Sequence, residues 1–216
     1  MAQKREVGAR GRVIADCIAL FACAASGSVA ARSCFLPAVS IPLDSKPAAT
    51  QSESGKWGKN VRAFLDTIAW AEGTSGKHGY RIQYTGALFR SYSDHPRRIN
   101  CAPFRGRPLC SDAAGRYQFL STTWDPLASA LRLPDFSPAS QDRAAVETLR
   151  RLGALEAIRQ GNFDRAVALS ASTWASLPKA GSPESYGISA LGQSAHSRKK
   201  LRTVYLAAGG RLSPSR

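Results

Sequence analysis

Asn60-Val61-Arg62-Ala63-Phe64-Leu65-Asp66-Thr67-Ile68-Ala69-Trp70-Ala71-Glu72-Gly73 reads as an amphipathic helix that ends on a carboxyl group. Steps of four back from Glu72 reach Ile68 and Phe64, with Leu65 on the adjoining row. The acid therefore shares a face with apolar residues, and Asp66 and Arg62 fall on the other side. Asn60 is expected to cap the start, and Gly73 to end the helix by taking a left-handed conformation. A carboxyl group held against aliphatic and aromatic surface, at the negative end of a helix dipole, keeps its proton to higher pH and becomes a proton donor. The same string also permits a plainer outcome, a solvated Glu that only closes the helix.

The chain of 216 residues is long enough for one ordinary domain and short for two. Its 44% hydrophobic and 21% charged content exclude wholesale disorder. Thirty Lys and Arg against fifteen Asp and Glu give a net charge of +15. Such a field attracts polyanions of any kind, whether nucleic acid, anionic membrane surfaces or acidic wall polymers. The basic residues are scattered in pairs such as Arg97-Arg98, Arg150-Arg151 and Lys199-Lys200, without a basic run interleaved with aromatics or a zinc-finger spacing. No nucleic-acid partner is expected, and the charge is read as steering toward an acidic surface.

Lys4, Arg5, Arg10 and Arg12 precede an apolar run from Cys17 to Ala25, and Ser28-Val29-Ala30 offers the small residues that a signal peptidase reads. Residues 1–30 are therefore expected to be a signal peptide or signal anchor. The run is short for a bilayer-spanning helix. Leu20-Phe21-Ala22-Cys23 leaves open a bacterial lipoprotein site with Cys23 lipidated. Residues 31–59 are rich in Ser, Pro, Gly and Ala and read as a flexible linker, residues 60–211 as the domain and 212–216 as a tail. Export to the periplasm or cell envelope is expected, as a monomer, with membrane contact only through the amino-terminal segment. Cys17, Cys23 and Cys34 precede the domain; Cys101 and Cys110 lie within it. In an oxidising compartment those two are expected to form a local disulfide. A two-cysteine zinc site is the weaker alternative, because His78 and His95 supply no ligand spacing. No metal or cofactor is expected.

After the first helix, Tyr80-Arg81-Ile82-Gln83-Tyr84 alternates, and Thr85-Gly86 turns it toward Ala87-Leu88-Phe89, a small hairpin. A loop is expected from Ser93 through Cys110. Helices then follow, one capped by Ser121 or Thr122 and carrying Trp124, Leu127 and Leu131, and another opened by Ser137-Pro138 and lined by Ala145, Leu149 and Leu152. A short helix lies between Gly153 and Gly161. Phe163, Val167, Ser170 and Trp174 share helical spacing, as do Leu201, Val204, Tyr205 and Ala208. The fold class is α+β, mainly α, with Trp124 and Trp174 as core anchors.

Ala114-Gly115-Arg116-Tyr117-Gln118 gathers a flexible backbone, a guanidinium, a phenol and an amide, which suits sugar recognition but also fits an ordinary loop. Several strings add to it: Trp70-Ala71-Glu72-Gly73-Thr74, His78-Gly79-Tyr80, Tyr92-Ser93-Asp94-His95-Pro96, Phe136-Ser137-Pro138, Ser140-Gln141-Asp142 and Trp174-Ala175-Ser176-Leu177-Pro178. In this order and spacing the chain, from about Arg62 to Gly210, resembles the phage lambda endolysin family of lytic transglycosylases, which have a lysozyme-like fold. The Cys101 to Cys110 insert, the basic excess and the amino-terminal segment depart from it.

The resemblance implies cleavage of the β-1,4 bond between N-acetylmuramic acid and N-acetylglucosamine in peptidoglycan glycan strands, with formation of a 1,6-anhydro ring. Glu72 matches the catalytic acid; Tyr80, Tyr117 and Gln118 would line the sugar cleft. The substrate's C6 hydroxyl would take the place of a second carboxylate. Asp94, Asp112 and Asp142 remain candidate partners for a hydrolytic lysozyme instead, and a basic wall-binding module without activity is the other alternative.

Overall fold

The computed structural model describes residues 57–104, 106–183, 187–188 and 194–214. The expected signal segment, its Cys17 and Cys23, Cys34 and nearly all of the expected linker lie outside the described residues. The elements run α1 (Lys59–Ala71), two 3-10 turns (Gly79–Arg81 and Tyr84–Gly86), β1 (Asn100–Phe104), β2 (Arg107–Ser111), α2 (Ser121–Leu131), α3 (Pro138–Arg151), α4 (Ala154–Arg159), α5 (Phe163–Ser170), β3 (Gly187–Ile188), β4 (Ser194–Ala195) and α6 (Arg198–Ala207). Helices dominate. β1 pairs with β2 and β3 with β4, each as a two-stranded antiparallel unit.

α1 is the axis of the core because its apolar stripe is wide enough to meet α3, α4 and α6 at once. Phe64 and Ile68 are fully enclosed, and Phe64 meets the rings of Phe163 and Tyr205 edge-on at 6.1 and 6.4 Å. A second aromatic nest surrounds Phe136, whose ring lies 4.5 Å from that of Trp124 and 4.9 Å from that of His95. Each large apolar side chain so buried contributes roughly 1.5–3 kcal/mol. Trp124 and Trp174 are both buried, as core anchors should be.

Several local readings change. α1 begins at Lys59 with Gly58 at its N-cap, so Asn60 does not cap it. Asn60 lies in the first turn, where its amide donates to the carbonyls of Ile158 (3.1 Å) and Arg211 (3.2 Å) and its side-chain oxygen accepts the Arg211 N–H at 2.8 Å. It fastens α1 to the end of α4 and to the chain's last residues. Ser213, expected in a tail, donates its N–H to the Gly161 carbonyl at 3.0 Å.

The expected hairpin at 80–89 shrinks to one bridge, Ile82 with Leu88, flanked by the two 3-10 turns. The real hairpin is β1–β2, in the stretch expected to be loop. Cys101 and Cys110 face each other in its register and are joined by a disulfide, so their thiolates cannot hold zinc. His95 is equally committed: its Nε2–H donates to the Phe119 carbonyl at 2.8 Å, and Nδ1 accepts the Arg97 N–H at 3.2 Å.

Neither Ser121 nor Thr122 caps α2. Leu120 occupies the N-cap, and the Asp112 carboxylate accepts the Ser121 N–H at 3.3 Å from the end of β2. Ser137 does cap α3, as its sequence requires. α5 ends at Ser170, so Trp174 lies in the turns beyond it. The β3–β4 pair has no counterpart in the sequence reading, because four residues of strand leave no periodicity to detect.

Replacing Asn60 with Ala leaves the Arg211 N–H without its acceptor and takes one of two donors from the carbonyls of Ile158 and Arg211, which keep the Gly161 N–H and the Tyr205 hydroxyl. The expected cost is about 2 kcal/mol, a fall of roughly 4–8 °C in Tm for a domain of this size. Thermal unfolding followed by circular dichroism measures it.

Candidate active site

The end of α1 is built by hydrogen bonds that overlap around one glycine. The Gly73 N–H reaches the Trp70 carbonyl at 3.1 Å and the Thr74 N–H reaches the Ala69 carbonyl at 2.7 Å, while Gly73 takes φ +72°. This is the paired-bond closure that a left-handed glycine permits, and it makes Glu72 the last residue with helical geometry. Thr74 is fully buried, with its hydroxyl between the carbonyls of Ala69 and Arg116. The helix end is thereby joined to the Arg116 loop.

Glu72 is half-buried, and its Oε1 accepts a hydrogen bond from the Ser176 hydroxyl at 2.5 Å. Burial raises the carboxyl pKa above its ordinary value. The Ser176 bond, which favours the ionised form, opposes that rise without cancelling it. Ser176 reaches the site from the turns after α5, which are held by the Trp174 indole N–H donating to the Tyr117 carbonyl at 3.0 Å. The Ser176 carbonyl accepts the His196 N–H at 3.0 Å. The His196 ring donates from Nε2 to the Ala71 carbonyl at 3.1 Å and lies 4.6 Å from the Trp70 ring. The residue following β4 therefore touches both α1 and the Ser176 turn.

A second cluster forms around the start of α3. The buried Gln141 amide donates to the carbonyls of Tyr80 (3.0 Å) and Phe136 (2.8 Å), and its oxygen accepts the Arg116 N–H at 2.9 Å. Gly115, at φ +80°, makes this approach possible, since a Cβ there would stand 2.2 Å from the Gln141 oxygen. Gly79 is required for the same reason: its Cβ would lie 1.8 Å from the Thr74 carbonyl oxygen.

Asp142 accepts the hydroxyls of Tyr80 at 2.9 Å and Tyr117 at 2.6 Å. Desolvation raises the Asp142 pKa, against the pull of the two phenols and of Arg116. Desolvation and the Asp142 carboxylate together push both phenols up. Arg116 lies 5.2 Å over the Tyr80 ring and pairs with Asp66 at 2.7 Å.

The residues read as sugar-lining from the sequence are thus placed differently from one another. Tyr80 is half-buried with its hydroxyl on Asp142. Tyr117 is only 1% exposed, so its ring is core and offers no face to a sugar; this corrects the reading of it as a cleft residue. Its α-helix-free loop was legible, its burial was not. Gln118 takes φ +48° and spends its amide N–H groups on the carbonyls of Ile82 (3.1 Å) and Gly115 (2.9 Å). The other carboxylates are occupied: Asp94 by the His95 N–H and Arg97, Asp112 by the Ser121 N–H. Ser176 and His196 were missed, because nothing in local spacing joins either residue to Glu72.

A mainly helical domain with a small antiparallel element, and a half-buried carboxyl group where its first helix stops, is a lysozyme-like arrangement. A family model described as Endolysin matches residues 62–212. The endolysin of Escherichia phage P2 is 42% identical over 164 residues, spanning 70% of this chain and 94% of that protein. The endolysin of Escherichia phage lambda is 40% identical over 155 residues, spanning 69% and 90%. Bacteriophage lambda lysozyme complexed with a chitohexasaccharide superposes with a TM-score of 0.62 at 39% identity, over 72% of this chain and 97% of that one. A further structure of lysozyme from bacteriophage lambda gives a TM-score of 0.63 at 36% identity, with the same coverage. The chain belongs to the endolysin family.

A raised carboxyl pKa has a consequence for stability. Between the unfolded value of 4.5 and the raised folded value, the folded state holds a proton that the unfolded state releases, so stability falls as pH rises through that window. Glu72→Gln removes the cost of burying the ionised carboxyl. Its Tm is expected to exceed that of the parent by about 2–4 °C at neutral pH and to match it near pH 4. Calorimetry of both proteins across that range checks the sign.

Proposed function

We propose that this endolysin is a lytic transglycosylase, which cleaves the β-1,4 bond between N-acetylmuramic acid and N-acetylglucosamine in peptidoglycan and leaves 1,6-anhydro-N-acetylmuramic ends. The observation that carries the reading is Glu72, whose carboxyl is raised in pKa by burial and bonded to the Ser176 hydroxyl. In this reading Glu72 donates its proton to the glycosidic oxygen as the bond to C1 of the muramic residue breaks, and N-acetylglucosamine leaves with a free hydroxyl. The resulting carboxylate then accepts the proton of the C6 hydroxyl while that oxygen closes on C1. Atoms and charge balance without water, and Glu72 ends protonated as it began.

An ordinary retaining or inverting glycosidase needs a second free carboxylate. The three that could serve, Asp94, Asp112 and Asp142, are each engaged in holding backbone, guanidinium or phenol groups, which favours the intramolecular route. The chitohexasaccharide on the lambda lysozyme structure supports a glycan strand as the substrate class. Ser176 acts as a positioning residue that directs the Glu72 carboxyl. Tyr80 and Gln118 contribute to the cleft wall, and Tyr117 supports it from within through Asp142. The amino-terminal segment is read as the export route to the wall, with the basic excess steering the enzyme toward acidic wall polymers.

Mass analysis of purified peptidoglycan digested by the protein should show anhydro-muramic ends. Reducing muramic ends alone would make it a hydrolytic lysozyme. Glu72→Gln is expected to lower the rate of wall lysis about 10²–10⁴-fold, and unchanged lysis would remove Glu72 from the mechanism. Ser176→Ala withdraws a hydrogen bond from the ionised carboxyl and so raises its pKa further. The alkaline limb of its kcat/KM profile is expected to move to higher pH, with kcat reduced and KM little changed.

A further inference from the structure

We propose that His196 is the positioning residue of the site: its backbone and its ring hold Ser176 and the end of α1 at the separation that lets the Ser176 hydroxyl reach the Glu72 carboxyl. The inference deepens the transglycosylase reading and rests on Glu72 as its acid. Helix α1 ends at Ala71, and the last carbonyls of a helix have no following turn to supply their N–H partners. The bonds that close α1 serve three of them: the Glu72 N–H goes to Ile68, that of Gly73 to Trp70 and that of Thr74 to Ala69. Ala71 stands outside this set. Its carbonyl is bonded by the His196 ring, with Nε2 at 3.1 Å. A carbonyl only accepts, so Nε2 carries a proton.

This bond does more than cap a helix, because the Ala71 carbonyl belongs to the planar peptide unit that leads into Glu72. Tilting that plane swings the Glu72 side chain. On the other side of the carboxyl, the Ser176 hydroxyl donates to Oε1 at 2.5 Å, and the Ser176 carbonyl accepts the backbone N–H of the same His196 at 3.0 Å. One residue thus grips both partners of the Glu72–Ser176 bond, the first through its ring and the second through its main chain.

Neighbouring contacts keep that grip fixed. The imidazole lies 4.6 Å from the ring of Trp70, itself on α1, and the Lys200 ammonium lies 5.5 Å from the same indole. Ser197 caps α6 by accepting the Lys200 N–H at 3.3 Å, which sets the main chain one residue after His196. The Arg198 guanidinium donates to the Lys179 carbonyl at 3.2 Å and ties the start of α6 to the stretch that follows Ser176. Ser176 and Glu72 are 104 positions apart in the chain, so their bond persists only while the backbones that carry them stay in register. Displacing a catalytic group by about 1 Å can cost on the order of 10²-fold in rate.

Two substitutions in the full chain separate the donor of the ring from its packing. His196→Phe keeps a ring against Trp70 and loses the donor. His196→Gln loses the ring and offers an amide N–H at the same reach from Cα as Nε2. The Phe variant is expected to lower kcat on peptidoglycan roughly 10–100-fold with KM little changed. The alkaline limb of its kcat/KM profile is expected at higher pH. Burial and the Ser176 hydroxyl are the causes that act on Glu72, and a hydroxyl drawn away no longer favours the ionised carboxyl. The Gln variant is expected to regain most of kcat and the parental limb. In the Ser176→Ala protein, His196→Phe is expected to move the limb no further, since its effect passes through Ser176. His196→Ala, with neither ring nor donor, is expected to match the Phe variant and decides the same point where the Phe protein does not fold. An NMR titration of the Glu72 carboxyl carbon reads the shift without substrate. It is therefore independent of whether the products carry anhydro or reducing ends. Parental kcat with an unmoved Glu72 titration in the variants lacking the donor overturns the proposal. Equal losses in the Gln and Phe variants do the same and make His196 a packing residue, as does a full further shift of the limb in the Ser176→Ala background.

Discussion

Thr74 is the pin on which the site depends. Its N–H ends α1 by reaching back to Ala69, its hydroxyl faces the Arg116 carbonyl, and its own carbonyl is approached so closely by residue 79 that only glycine fits there. Buried polar groups of this kind tolerate little displacement, because each displaced bond leaves an unsatisfied group in low dielectric. The helix must therefore stop where it does. Glu72 is left as the last helical residue, facing the turn that brings Ser176.

The two central acids illustrate how environment divides labour between like groups. Desolvation raises both Glu72 and Asp142 above their ordinary pKa values. Glu72 has one neutral hydroxyl on its carboxylate, whereas Asp142 receives two phenols and feels the charge of Arg116. An acid with a single weak partner can exchange a proton with a ligand. One that holds two tyrosines in place is better suited to supporting the loop that carries them. Gln141, one residue earlier on α3, completes that support by joining three separate backbone segments through one amide.

The apolar stripe of α1, the Ser137-Pro138 start of α3 and the glycine stops at 153 and 161 were legible because each rests on interactions within about one helical turn. The start of α1 was misread for the opposite reason. Asn60 has the chemistry of a cap, but its bonds go to residues 158 and 211, nearly a hundred positions or more away. Tyr117 was misread likewise. Its string suits a sugar, yet the packing of Phe119, Trp124 and Trp174 around that loop encloses the ring. The β1–β2 hairpin was passed over because Pro103, Pro108 and the paired cysteines mask strand alternation, and the disulfide supplies the order that a hydrophobic face usually does.

The sequence by itself determined the class of fold, the apolar face of the helix that carries Glu72 and the residue that ends that helix, since periodicity, a left-handed glycine and a run of ordered motifs are all encoded locally. Tertiary structure alone decided what surrounds that acid. Ser176 meets Glu72 across 104 positions of chain and His196 reaches Ala71 across 125. Contacts closed by packing over such separations have no spacing rule, so they exist only once the core has brought α1, the turns after α5 and the residue following β4 together.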